Sequence, residues 1–150
     1  MGDTFTLTIP ADEDGFILQQ CPKCKSQFKL TVSDLQSDDS TEIWCPACGL
    51  ISETYFTEDV IELAKTKALN TLMDEVHSQF KDMERKTKGE LVSIKAGKKP
   101  APMLEVPISK KPNPFIELKT PCCNKHVKLS YREKETIYYC PFCGGAQYAG

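Results

Sequence analysis

Alternating apolar and polar side chains predict short strands near both ends of the chain. Segments of this kind flank two groups of cysteines, at residues 4–9, 16–18, 28–32, 115–118, 127–129 and 136–139. The two ends therefore resemble each other, which raises the hypothesis of an internal repeat.

The middle of the chain has a different period, which predicts a helix over residues 57–88. Apolar residues recur at helical spacing: Val60, Ile61, Ala64, Ala68, Leu72, Val76, Phe80 and Met83. Thr57 can cap the start of the helix, and Gly89 can end it. A helix of about 30 residues spans more than about 40 Å, so its apolar face needs a partner surface. Packing within the chain and a coiled-coil dimer through residues 57–88 are both compatible with this spacing.

Five prolines interrupt residues 89–114, and several lysines lie between them. Proline removes a backbone donor and fixes φ, so regular secondary structure is disfavoured here. This composition predicts a semi-extended basic linker.

Two Cys-x-x-Cys pairs near the N-terminus have the spacing of a four-sulfur metal site. Cys21 and Cys24 form the first pair, and Cys45 and Cys48 form the second, with 20 residues between the pairs. Two intervening residues let a tight turn direct both sulfurs at one ion, and zinc binds four thiolates in a tetrahedron. The motifs Cys21-Pro22-Lys23-Cys24 and Cys45-Pro46-Ala47-Cys48-Gly49 resemble those of the zinc-ribbon superfamily. The resemblance covers roughly residues 16–56 and implies a structural site without an open position for catalytic water.

A second group of cysteines near the C-terminus follows this pattern incompletely. Cys140 and Cys143 match the second pair, but aligning residues 127–129 with 28–30 places Cys123 opposite Cys24 and Thr120 opposite Cys21. Three hypotheses remain open for this site. Cys122 supplies the missing thiolate, or His126 pairs with Cys123, or the site holds no metal. Two Zn²⁺ ions per chain are expected if either ligand completes the site.

Together these patterns predict a small metal-bound α+β fold with two zinc ribbons, joined by a long helix and a Pro/Lys-rich linker. The corresponding segments are 1–56, 57–88, 89–114 and 115–150. No segment has the length and apolar character of a membrane span, and the N-terminus lacks the pattern of a secretory signal. The high cysteine content then favours metal binding in a reducing compartment, which predicts a cytoplasmic protein, or a nuclear one in a eukaryote.

Charge is distributed unevenly and suggests two functions. Residues 1–88 hold 9 Lys or Arg against 16 Asp or Glu, whereas residues 89–150 hold 10 against 5. No nucleophile motif, Gly-rich phosphate loop or open metal motif is present, so we expect no enzymatic activity. The primary hypothesis is an adaptor that binds a protein partner, in a nucleic-acid-associated or regulatory complex. The alternative is direct DNA or RNA binding through the basic, aromatic C-terminal half, with candidate contacts at Lys110, Lys111, Lys125, Lys128 and Arg132.

Overall fold

The computed structural model describes residues 6–38, 42–108 and 114–148. It is a small α+β structure with antiparallel strands and one long helix. Its elements are β1 (Phe16–Gln20), β2 (Gln27–Thr31), α1 (Val32–Leu35), α2 (Glu58–Thr87), β3 (Phe115–Lys119), β4 (His126–Ser130), α3 (Tyr131–Glu135), β5 (Ile137–Tyr139) and β6 (Ala146–Tyr148). Among these residues, no helix is long and apolar enough to cross a membrane.

The described residues form two compact units. The first, here called the cysteine unit, contains the described residues within 9–58 and 108–148. The second, the helical unit, takes residues 6–8 and 59–107. The two cysteine-rich ends, which the sequence treats as separate segments, thus belong to one unit.

The cysteine unit is built on a four-stranded antiparallel sheet in the order β1-β2-β4-β3. Strands β1 and β2 form the first hairpin, with Phe16 opposite Thr31, and β3 and β4 form the second, with Phe115 opposite Ser130. The hairpins join where β2 pairs with β4, and Lys29 lies opposite Lys128. A smaller two-stranded sheet contains β5 and β6.

The two hairpins are copies of one structural pattern. Lys25 and Asn124 both have a positive φ, and Thr31 and Ser130 both cap a short helix. The number of residues that separates the first pair is the same as the number that separates the second. Each cap side chain accepts a hydrogen bond from the third residue after it, at the start of a short helix. The structure therefore contains the internal repeat that the sequence suggested.

The core lies on one face of the four-stranded sheet. Phe28 and Leu30 of β2 and Val127 and Leu129 of β4 are fully buried there. Tyr55 packs edge-on against Phe28, with 5.6 Å between the ring centroids. Because successive strand residues point to opposite faces, Lys29 and Lys128 project from the other side of the sheet.

This second face holds a buried ionic cluster. The Lys128 side chain is 3% exposed, and its ammonium group contacts the carboxylates of Asp12 at 2.8 Å and Asp14 at 2.7 Å. Lys29 contacts the same Asp12 carboxylate at 3.2 Å. The ammonium groups also lie over aromatic rings in a reciprocal manner: Lys29 over Phe115 and Lys128 over Phe16.

The helical unit contains α2 and an extended segment that runs back along it. The helix ends next to Gly89, whose φ of +90° is typical of a helix C-terminus. The returning segment then contacts progressively earlier turns of α2: Ile94 with Thr87, Ala96 with Glu84, Lys99 with Asp74, Met103 with Asn70, and Glu105 with Lys67. The described part of the basic Pro-rich segment therefore has defined contacts with the helix.

One face of α2 remains apolar and exposed. We call it the apolar stripe: Leu69, Leu72, Met73, Val76, Phe80 and Met83, each 37% to 53% exposed. These positions recur at the spacing of three, four and seven residues that aligns side chains on one helical face.

Candidate metal centre

The first site begins with a tight turn between β1 and β2. The backbone N–H of Lys25 donates to the carbonyl of Cys21 at 2.9 Å, and Lys25 has a φ of 65°. These features close the Cys21–Cys24 turn, a structure known as a knuckle. Cys21 is fully buried and Cys24 is exposed, so the site lies at the edge of the core.

A second knuckle, Cys45–Gly49, completes the first site. The N–H of Gly49 donates to the carbonyl of Cys45 at 2.8 Å, and the φ of Gly49 is +71°, which favours glycine. Sulfur atoms from the two knuckles are 3.8 Å apart for Cys21 and Cys48 and 3.5 Å apart for Cys24 and Cys45. All four Sγ atoms lie within 4.8 Å of one another.

The second site repeats this construction with one substitution. The Cys140–Gly144 knuckle has the same hydrogen bond, from the Gly144 N–H to the Cys140 carbonyl at 2.8 Å. Thr120 occupies the position of Cys21 and is fully buried. Its hydroxyl accepts a hydrogen bond from the Lys125 N–H at 3.2 Å, so the turn is retained without a sulfur at this position.

Cys122 supplies the fourth sulfur of the second site. Its Sγ lies 3.4 Å from that of Cys143, and the four sulfurs of Cys122, Cys123, Cys140 and Cys143 lie within 4.8 Å of one another. The side-chain amide of Gln147 donates to the Cys122 sulfur at 3.4 Å. The sequence reasoning missed this contact, because nothing in the local pattern directs Gln147 toward Cys122.

His126, the alternative ligand, lies on β4 and points elsewhere. Its Nδ1 is 3.1 Å from a carboxylate oxygen of Glu117, on the neighbouring strand β3. It does not belong to the four-sulfur group that the structure forms. Of the three hypotheses for this site, the arrangement therefore matches the one with Cys122.

The spacing of the sulfurs fits one metal ion per group. Four sulfurs at about 2.3 Å from a central ion are separated by about 3.8 Å in a regular tetrahedron. The contacts of 3.4 to 3.8 Å approach this value. Both four-cysteine groups can therefore hold a metal ion with protein ligands alone.

The environment divides the thiols of each site into two classes. Burial raises the pKa of Cys45, and burial together with nearby Cys140 and Cys143 raises the pKa of Cys122 to about 12. For Cys24, burial acts to raise the pKa, but hydrogen bonds from Ser26, Cys45 and Cys21 together outweigh it and lower the value to about 7. Clustered thiolates repel one another, so full deprotonation of either group needs a compensating cation.

The candidate nucleic-acid contacts are only partly brought together. Lys110 and Lys111 lie outside the described residues. Lys125 is 3.7 Å from Asp34 and lies over the Phe142 ring, and Arg132 belongs to α3. Lys128 is buried in the ionic cluster with Asp12 and Asp14. The prediction that Lys128 contacts phosphate is therefore wrong.

Comparisons of the chain with protein-family models, curated proteins and solved structures find no match.

Proposed function

We propose that each four-cysteine group binds one Zn²⁺ ion in a structural role. Four clustered thiolates suit a soft or borderline metal, and zinc favours the tetrahedral arrangement that the sulfur spacing fits. Four protein ligands leave no coordination position for a substrate, which supports a non-enzymatic role. The resemblance of the Cys-Pro-x-Cys motifs to zinc ribbons supports the same metal.

Ligand identity at the second site can be tested by counting zinc ions. Purified protein is expected to contain two zinc ions per chain by elemental analysis. Cys122→Ser should lower this number to one, because the fourth sulfur is lost, whereas His126→Ala should retain two. If His126→Ala loses the ion and Cys122→Ser keeps it, the assignment of Cys122 is wrong.

A rescue variant makes this test sharper. Lys23 occupies the position in the first hairpin that Cys122 occupies in the second, and Cys21 corresponds to Thr120. The double variant Thr120→Cys/Cys122→Lys would therefore give the second site the ligand spacing of the first. We expect it to recover the second zinc ion that Cys122→Ser loses.

We further propose that the protein is an adaptor that binds a protein partner through the apolar stripe of α2. The observation that carries this proposal is the exposure of six large apolar side chains on one helical face. Exposed apolar surface of this kind is typical of interaction sites. The stripe extends over about 21 Å, so the occupant that fits it is an amphipathic helix of the partner, packed along α2. Met73 and Met83 have flexible side chains that adapt to the shape of an apposed surface.

The partner can be identified by site-specific photo-crosslinking in cells that express the full chain. A photoreactive residue at Val76, within the stripe, should yield a specific adduct, whereas one at Ser78, which is exposed on the opposite side of the helix, should not. With the purified partner, Phe80→Glu should raise the Kd at least about tenfold, because a buried aromatic anchor is replaced by a charge. Ser78→Glu is the matched control and should change the Kd by less than about twofold.

Other outcomes identify another function. A dimer of the purified chain that Phe80→Glu dissociates would assign the stripe to a second copy of this protein. Binding to DNA or RNA that weakens steeply with salt and depends on Lys125 and Arg132 would favour the nucleic-acid alternative. Equal crosslinking at positions 76 and 78 would overturn the stripe as the docking surface.

A further inference from the structure

We propose that the two four-cysteine sites bind metal cooperatively, because their second knuckles, Cys45–Gly49 and Cys140–Gly144, pack directly against each other. This inference rests on the proposed zinc binding and adds a coupling between the two sites. Occupancy of either site would then raise the affinity of the other for its ion.

The first link between these knuckles is a reciprocal pair of backbone hydrogen bonds. The N–H of Trp44, the residue before Cys45, donates to the carbonyl of Pro141 at 3.0 Å. The N–H of Tyr139, the residue before Cys140, donates to the carbonyl of Pro46 at 2.8 Å. Both prolines lie inside their knuckles and are fully buried. Each metal-binding turn therefore supplies the acceptor for the backbone N–H of the residue that precedes the other turn.

The second link is a reciprocal contact between an aromatic ring and a glycine. A methyl group added at Gly144 would lie 2.6 Å from Nε1 of Trp44, and one added at Gly49 would lie 3.0 Å from Cγ of Tyr139. Each ring thus covers the glycine that closes the other knuckle. Neither contact leaves room for a side chain at the glycine.

These contacts give metal binding a physical route from one site to the other. An isolated Cys-x-x-Cys turn has few contacts of its own, and the ion fixes its conformation when it binds. A knuckle that is ordered by its ion presents the carbonyl and the glycine surface on which the other knuckle packs. The first ion therefore contributes part of the ordering that the second site would otherwise require, which is positive cooperativity.

The test is a zinc titration of the reduced, metal-free full chain, with the species counted by native mass spectrometry. For two equal and independent sites at half loading, about half of the chains carry one ion, whereas tenfold coupling lowers this fraction to about a quarter. Sites of unequal affinity raise the fraction, so a second measurement is needed. Cys45→Ser/Cys48→Ser, which removes the first site, should weaken zinc binding at the second at least about tenfold.

Variants of the interface separate coupling from simple ligand loss. Trp44→Ala/Tyr139→Ala keeps all eight sulfurs and the backbone hydrogen bonds but removes both rings, and it should raise the one-ion fraction above that of the unmodified chain. If the double variant fails to fold, Trp44→Leu can replace it. This variant retains an apolar side chain, and its one-ion fraction should lie between that of the unmodified chain and about half. Tyr131→Ala is the control, because this tyrosine is exposed on α3, and it should behave as the unmodified chain does.

The outcomes distinguish failure of the coupling from failure of the zinc proposal. The coupling alone would be overturned if the chain binds two ions, its one-ion fraction is half or more, and loss of the first site leaves the zinc affinity of the second unchanged. No zinc bound by the reduced chain at either site would overturn both proposals.

Discussion

Removal of metal is expected to unfold the sheet of the cysteine unit. The strands of this unit are three to five residues long, and a small group of buried side chains forms its core. A unit of this size buries a smaller fraction of its unfolded-chain surface than a large domain does, so a bound ion adds stability that its core alone supplies only in part. Zinc supplies about 10 to 16 kcal/mol in small domains with structural sites, an amount that the core contacts here would not replace.

Hydrogen exchange with residue resolution is the appropriate measurement, because α2 dominates the circular dichroism signal. The expected result is loss of protection at the amides of β2 and β4, including Leu30 and Leu129, after chelation under reducing conditions. A sample with the same chelator and excess zinc is the control, and it should retain protection. Persistent protection of these amides after verified loss of both ions would show that the metal does not determine the fold.

The arrangement of the cysteines explains why much of the candidate site was predictable from sequence. Cys-x-x-Cys spacing is a local property, and two residues between the ligands already define the turn. Helical periodicity is local as well, so the predicted helix 57–88 agrees closely with the observed Glu58–Thr87. For the second site, the alignment of the two ends correctly placed Thr120 opposite Cys21.

Pairing between β2 and β4 could not be predicted in the same way. These strands are separated by most of the chain, and hydrophobic alternation within a strand does not identify its neighbour in the sheet. The sequence therefore suggested two similar modules but gave no indication that they share a sheet. The knuckle contacts of Trp44 and Tyr139 depend on this pairing and were missed with it. An aromatic residue before the first cysteine of both second knuckles was the available signal.

Lys128 shows the same limitation at a single residue. Lys128 lies in the basic, aromatic C-terminal half of the chain, and this composition placed it among the candidate nucleic-acid contacts. In the structure, the outer face at this position is covered by Asp12, Asp14 and the ring of Phe16. These residues come from a distant part of the sequence, so local pattern could not reveal the burial.

The buried cluster around Asp12 leads to the second large expected effect. Lys29 and Lys128 face each other across the junction of the two hairpins, and like charges in this arrangement destabilise a sheet. The Asp12 carboxylate contacts both ammonium groups. Asp12→Asn removes this charge and should lower the free energy of unfolding by about 3 kcal/mol, the scale of breaking a buried ion pair. Asp14→Asn is the matched control, since its side chain is 60% exposed, and it should cost less than about 1 kcal/mol.

The pH dependence of this effect follows from the pKa of Asp12. Burial acts to raise this pKa, but hydrogen bonds from Lys128, the Phe16 N–H and Lys29 outweigh it and hold the value well below its usual range. A carboxyl group whose pKa is depressed by folding stabilises the protein above its unfolded pKa and loses that contribution as the pH falls through the folded one. The difference between Asp12→Asn and the unmodified chain should therefore be constant between about pH 6 and pH 8.

Denaturant unfolding of the zinc-loaded chain, followed by the near-UV signal of Trp44, measures this difference. Restoring part of the charge balance provides an internal check: Lys29→Met in the Asp12→Asn background removes one of the two buried ammonium groups. The double variant should recover part of the lost stability, because only Lys128 then requires a carboxylate and Asp14 still contacts it. An Asp12→Asn variant as stable as Asp14→Asn would contradict the cluster as the ionic link between the hairpins. The junction would then depend on the apolar core and the knuckle contacts alone.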